Sequence, residues 1–437
     1  MKIVIDAYNL GLLQGTGIAT YARVLSRILS AAGHEVFPLY GLRKVDANSA
    51  YTWAQFLQRL SIYGEENNSY SFVRDLDFSL GMVRGVMYLP LEAKQITVNS
   101  HIVDAPLRSR LPAYTNLFNT PSLYRLAQAS SFLKGKTISI RFPHPIDVLH
   151  LTCPLALSCR GVAKIVTVHD IIPLVLPTST KVNLKHYSRS MVSSLHDANM
   201  IFAVSEHTKN DLVRHFQVPE NKIHVTYQSV QIPQQYKQIH ADALSDFLDR
   251  HFNLRQKEYF LFYGAIEPKK NVARILEAFA IAKTDYPILI VGKDGWLHAD
   301  VDAFFEQQDA LTRGKVNNRF IRVPYVSHHA LMHLIKGARG LVFPSLYEGF
   351  GLPVLEAMEM GCPVITSHVS ALSEVGGDAV HYVDPYDVND IAAAIDQFAA
   401  DDNYISSLVD KGYAQAKQYS PQRYQERLMQ GYEKALS

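Results

Sequence analysis

The stretch SLYEGFGLPVLEAMEMGCPVITS, residues 345–367, sets two carboxylates, Glu348 and Glu356, on either side of a glycine-bearing loop that runs into a helical pattern. Pro353 suits the first helical position and Gly361 closes the helix, so the amides of Gly351 and Leu352 are left pointing outward. Free amides at the positive end of a helix dipole hold anions. Gly349 and Gly351 let a ligand approach the backbone closely, which makes this a cradle for a diphosphate that needs no metal. The flanking carboxylates can grip hydroxyl groups of the same ligand. A first-turn glutamate such as Glu356 also complements the dipole on its own account.

A second constellation is GAIEPKKN, Gly264 to Asn271, which follows an apolar strand and precedes a helical pattern starting near Val272. A diphosphate gains negative charge as it leaves, so a fixed ammonium at this helix start stabilises the transition state more than the ground state. Lys270 is the first choice for that ammonium and Lys269 the second.

Two weaker features lie in the first half. Gly15 and Gly17 form a loop between the first strand and a helix that turns Ile18, Tyr21, Ala22 and Leu25 inward; the loop faces a cleft but lacks the full dinucleotide spacing. His169 and Asp170 end the strand Lys164 to Val168, where open α/β sheets place ligands, so His169 can donate a hydrogen bond to a bound sugar. The chain has 18 histidines, and position at a strand end is what distinguishes this one.

These features need strands to hold them. Candidate strands are Lys2 to Ala7, Glu35 to Tyr40, Val148 to Leu151, Lys164 to Val168, Met200 to Val204 and Ile223 to Thr226. A second series comprises Tyr259 to Tyr263, Ile288 to Val291, Phe320 to Val323, Gly340 to Phe343, Pro363 to Thr366 and Val380 to Val383. Short apolar runs alternating with helical patterns define an α/β chain with two doubly wound domains. The expected division is 1–235, 236–419 and a last helix 420–437, opened by Ser420 as cap and Pro421 as first residue. An insertion over about 45–145 shows two helices and no clear strand series. Between Ala105 and Ile146 there are six Lys or Arg and no acid. That basic and apolar segment reads either as a solvated face or as a docking surface for an anionic membrane or lipid diphosphate.

With 437 residues, the chain exceeds what one core usually supports. A net charge of +2 argues against nucleic-acid partners, and three cysteines, Cys153, Cys159 and Cys362, suggest neither a disulfide framework nor a zinc site. The start MKIVIDAYNL has no secretion signal and no apolar run spans a bilayer, so a cytoplasmic setting, peripheral on the cytoplasmic membrane face, is expected. A dinucleotide-dependent oxidoreductase shares this architecture, but its glycine fingerprint is incomplete here, although Glu35 follows Gly17 by 18 residues.

Taken together, the motifs resemble the retaining glycosyltransferases of family four, over nearly the whole chain except 45–145. The segment EGFGLPVLEA, Glu348 to Ala357, looks like the family's two-glutamate signature. The resemblance implies that Glu348 contacts donor-sugar hydroxyls, that the amides around Phe350, Gly351 and Leu352 hold the diphosphate, and that Glu356 holds the ribose. GAIEPKKN looks like the family's phosphate-binding segment, with Lys270 matching and Ala265 standing where an Arg is common; Lys269 replaces that charge. VHDIIP, Val168 to Pro173, resembles the segment whose His contacts the donor sugar. The family implies a GT-B fold, two Rossmann-like domains facing a central cleft, with the last helix crossing back to the first domain. It also implies retention without a metal or cofactor, by front-face attack assisted by the β-phosphate oxygen. The pattern looks most like bacterial mannosyl- and rhamnosyltransferases of surface polysaccharides. GDP-mannose is therefore the leading donor, a dTDP- or UDP-sugar is second, and a glycan or polyprenyl-diphosphate-linked saccharide is the acceptor. A non-catalytic nucleotide-sugar-binding protein is the alternative from another class, disfavoured because Glu348, Glu356, Lys270 and His169 are all present.

Overall fold

The computed structural model describes residues 1–12, 17–63, 89–99, 101–102, 107, 110–311 and 319–437. Its strands are, in the first half, β1 (Lys2–Asp6), β2 (Glu35–Tyr40), β3 (Leu91–Glu92), β4 (Lys94–Ile96), β5 (Leu117–Asn119), β6 (Ile138–Arg141), β7 (Val148–Leu151), β8 (Leu157–Ser158), β9 (Ala163–Val168), β10 (Met200–Ala203) and β11 (Ile223–Val225). The second half contributes β12 (Phe260–Tyr263), β13 (Ile288–Val291), β14 (Phe320–Val323), β15 (Gly340–Phe343), β16 (Val364–Ser367) and β17 (His381–Val383).

The first sheet runs β11-β10-β9-β7-β1-β2-β5-β4, parallel except for β4, which is antiparallel to β5. The second runs β14-β13-β12-β15-β16-β17, parallel throughout. In that sheet the strand order reverses at β12 and β15, so the crevice outside their carboxyl ends is where such a fold binds ligands. Both strands are fully buried, as parallel strands covered on both faces by helices must be.

All twelve predicted strands are present, with ends within one residue of the prediction. The expectation of no strand series in 45–145 is corrected. β4 and β5 extend the main sheet, while β3 and β6 join β8 in a three-stranded sheet. Runs of two to four residues are too short to carry a period, which is why the sequence hides them.

Core membership changes along the linker: Ile223 packs in the first half's core, whereas Tyr236, Leu244 and Leu248 pack with β12 to β17. The final helix, Pro421–Leu436, is capped by Ser420 and buries Tyr424, Leu428 and Tyr432 against β1, β9 and β10 of the first sheet. Tyr432 Oη lies 2.5 Å from His150 Nδ1, His150 Nε2 is 2.8 Å from Thr167 Oγ1, and Thr167 is 2.9 Å from Tyr21 Oη. This buried polar chain ties the last helix to Tyr21 at the cleft. Among the described residues no helix is long and apolar enough to cross a membrane.

Candidate active site

The loop after β15 leads into the helix Leu352–Met360, and Gly351 caps it with φ of 110°, a conformation that a side chain would strain. The helix begins at Leu352, within the expected start, but Pro353 takes its second position rather than its first, and Glu356, expected in the first turn, is its fifth residue and lies beyond that turn. Pro353 has no N–H, and among the described residues the amides of Gly351 and Leu352 donate to no acceptor. Two free donors at the positive end of a nine-residue helix therefore stand beside the carboxyl ends of β12 and β15.

Glu348 is 8% exposed. Its carboxylate accepts from Lys270 Nζ at 2.6 Å, and its amide donates to Ser370 Oγ at 2.9 Å. Burial alone raises the Glu348 pKa, yet the ammonium groups of Lys270 and Lys269 outweigh it and hold the carboxyl below its ordinary value. Lys270 Nζ also sits 4.6 Å from the centre of the Phe343 ring, on the last residue of β15. Lys269 lies 3.8 Å from Glu267. Burial disfavours its charge, but Glu348, Asp170 and Glu267 raise its pKa above the ordinary value. The site thus brings both lysines of GAIEPKKN to Glu348.

Asn271 takes a different place. Its Nδ2 donates to the carbonyls of Pro344 (3.1 Å) and Pro385 (2.6 Å), and its Oδ1 accepts from Arg274 at 2.9 Å, so the side chain braces the two loops against each other. Phe350 is likewise turned inward, its ring 5.5 Å from Tyr419 and 6.5 Å from Tyr227, which leaves its backbone for any ligand.

Glu356 lines a cavity of about 200 Å³ between the two halves, together with Thr20, Tyr21, Gln228, His328 and Leu352. Tyr263 Oη, at the end of β12, lies 2.8 Å from its carboxylate. Burial pushes the Glu356 carboxyl up to about 7, with the tyrosine bond working the other way.

His169 is held from the first domain. Its Nε2 is 2.9 Å from the Thr152 carbonyl, so the proton sits there, and Nδ1 faces Gln228 Nε2 at 3.5 Å. The edge of the Tyr21 ring packs on it, with centroids 4.8 Å apart. Burial lowers its pKa, keeping the ring neutral. The His169 carbonyl meets the donor loop: a Cβ on Gly349 would lie 1.8 Å from that oxygen, so only glycine fits at this contact. Gly15 lies outside the described residues, and Gly17 opens the helix Gly17–Ala31, where an added Cβ would meet no atom of the described residues within 4 Å.

Side chains that the sequence did not single out close the two halves together. Tyr347 donates to Asp211, and both are buried. Glu374 accepts from the amides of Glu206 (2.9 Å) and His207 (2.6 Å), so a carboxylate of the second half caps a helix of the first. Thr208 Oγ1 stands 3.3 Å from the His169 carbonyl and 3.4 Å from that of Gly349. Among the described residues Asp294, His298 and Asp302 form the one cluster with metal-ligand types, and Arg322 bridges both of its carboxylates.

Comparison with known proteins relates this geometry to glycosyltransferases. Residues 246–416 match the family model for glycosyl transferases group 1, and residues 90–232 match that for Glycosyltransferase Family 4. The chain is 34% identical over 262 residues to O-antigen chain mannosyltransferase B of Escherichia coli, covering 59% of this chain and 66% of the relative. It is 29% identical over 248 residues to O-antigen chain mannosyltransferase RfbU of Salmonella typhimurium, covering 56% and 62%. The match thus spans just under two thirds of these relatives. Among solved structures, sucrose-phosphate synthase from Thermosynechococcus elongatus superposes with a TM-score of 0.63 at 17% identity, covering 99% of this chain and 98% of that one. An Anabaena protein, HepE, solved with UDP and glucose, gives 0.61 at 13%, covering 98% and 99%. The architecture is GT-B, and two glycosyltransferase segments follow one another along the chain, one matching Glycosyltransferase Family 4 over residues 90–232 and one matching glycosyl transferases group 1 over residues 246–416.

Proposed function

We propose that the chain transfers a sugar from a nucleotide-sugar donor, with GDP-mannose the leading choice, onto a glycan or polyprenyl-diphosphate-linked saccharide during assembly of a surface polysaccharide such as O-antigen. The observation that carries this reading is the Lys270–Glu348 pair set beside two free amides at the carboxyl ends of β12 and β15. The relatives named O-antigen chain mannosyltransferases support the choice of sugar.

In this reading the donor's diphosphate sits on the amides of Gly351 and Leu352. Lys270, with Lys269 behind it, meets the charge that grows as the glycosidic bond breaks. Glu348, kept ionised by the lysines, accepts hydrogen bonds from sugar hydroxyls, and Glu356 accepts from the ribose. The acceptor hydroxyl attacks on the face from which the diphosphate leaves and passes its proton to the departing β-phosphate oxygen, so configuration is retained. No residue is asked to form a covalent sugar adduct, and the charge on the diphosphate is met by lysines and amides with no metal. The site works at the cytoplasmic face of the membrane, where a lipid-linked acceptor is reached.

Thermal shift with GDP-, UDP-, dTDP- and ADP-linked sugars in EDTA tests the reading. Selective stabilisation by GDP-mannose is expected. Stabilisation by none of the donors would refute it.

A further inference from the structure

Two stretches without any acid, far apart in sequence, meet on the outside of the first domain. Residues 110–146 carry Arg110, Arg125, Lys134, Lys136 and Arg141, and residues 171–196 carry Lys181, Lys185 and Arg189. Their helices, Leu123–Lys134 and Leu184–Leu195, pack side by side. Ser131 Oγ lies 3.3 Å from Ser193 Oγ, Arg189 donates to the Phe132 carbonyl at 3.1 Å, and the Phe132 and His186 rings are 4.1 Å apart.

Along this seam the surface is apolar where solvent should favour polar groups. Leu133 is 64% exposed, Val192 55%, Val182 48%, Phe132 42% and Leu184 38%. Lys181, Lys185 and Arg189 are exposed among them, at and near the start of the second helix. Clustered apolar side chains on a monomer's surface mark a contact site, and apolar groups interleaved with cations fit an anionic bilayer, whose acyl boundary and phosphates they match in turn. The nearest acid in sequence, Asp197 just past the second helix, is neutralised by Lys164. The same helix reaches the cleft from its other side: Tyr187 Oη donates to the Asp170 carbonyl at 3.1 Å, next to His169.

We infer that this two-helix face docks on anionic phospholipid, holding the cleft beside the membrane surface. Its purpose rests on the lipid-linked acceptor proposed above; its binding does not.

The test is co-sedimentation of the full chain with phosphatidylglycerol–phosphatidylethanolamine vesicles and with phosphatidylcholine vesicles. Binding to the anionic vesicles alone is expected, weakening as salt rises. The double variant Lys181→Gln, Lys185→Gln should bind about 25-fold more weakly, about fivefold per lysine. Leu133→Ser with Val192→Ser should lose about tenfold or more. Equal binding to neutral vesicles, or wild-type binding by both variants, would overturn the inference, as would self-association through this face without vesicle binding. Transfer to a water-soluble acceptor separates the two claims. Vesicle binding without any transfer leaves the docking face standing and removes the proposed function, and transfer without vesicle binding does the reverse.

Discussion

Lys270 Nζ lies 2.6 Å from Glu348 Oε1, and neither side chain is more than 13% exposed. The two residues sit on loops that leave adjacent strands, β12 and β15, so the register of the second sheet sets their distance. Lys270, with Lys269, keeps Glu348 ionised before a donor arrives. A bound diphosphate then competes with Glu348 for the ammonium.

Removing one partner should cost more than removing both. Lys270→Ala leaves a carboxylate in a site that raises its pKa, so transfer should fall by about 10²–10³ and the melting temperature should drop. Lys270→Met with Glu348→Gln should recover the melting temperature but not the turnover. Steady-state kinetics and thermal melts on the three proteins check both statements.

Glu356 should make stability and ligand binding depend on pH in opposite senses. Its folded pKa, about 7, lies above the ordinary value of 4.5, so the unfolded chain loses its proton first. The folded state then loses stability as pH rises from about 4.5 to 7. Hydroxyls of a bound nucleotide favour the carboxylate, so nucleotide binding should tighten over the same rise. Glu356→Gln should remove both slopes, read by denaturant melts and by calorimetric titration with GDP at several pH values.

Gly349→Ala should hold the domains apart. The added methyl would fall 1.8 Å from the His169 carbonyl oxygen, and backbone on both sides leaves nothing soft to move. Donor binding to the second domain should persist, with turnover lowered about 100-fold and a larger radius of gyration by solution scattering. An unchanged radius with normal turnover would show that this contact is not needed.

Tyr347→Phe tests the bond that ties the donor loop to the first domain. Asp211 loses the tyrosine hydrogen bond at a buried position and keeps only the more distant His207 Nε2 at 3.7 Å beside it, so stability should fall by about 1–3 kcal/mol. Because Tyr347 precedes Glu348, kcat should fall more than KM rises. Equal kcat with raised KM would mean that the bond serves donor binding alone.

What the sequence made legible follows from distance along the chain. The strands β12, β13 and β15 read as unbroken apolar runs, and the cradle from Glu348 to Glu356 is contained within one loop and the first five residues of one helix. Lys270 was legible by charge at a helix start. The partners that complete the site were not. Tyr263 meets Glu356 across 93 residues, Tyr347 meets Asp211 across 136, and Glu374 meets Glu206 across 168, and no local pattern ties such pairs. Asn271 looked like part of the ligand site because it ends a lysine-rich segment, while its amide serves two proline carbonyls that only the folded chain brings near.

The most direct measurement is GDP release from GDP-mannose by the purified chain in EDTA, with a polyprenyl-diphosphate-linked saccharide as acceptor, alongside Lys270→Ala. The account predicts GDP release by the wild type, an α-configured mannosyl product by nuclear magnetic resonance, and loss of nearly all turnover in the variant. Release at equal rates by the two proteins, or a β-configured product, would contradict it.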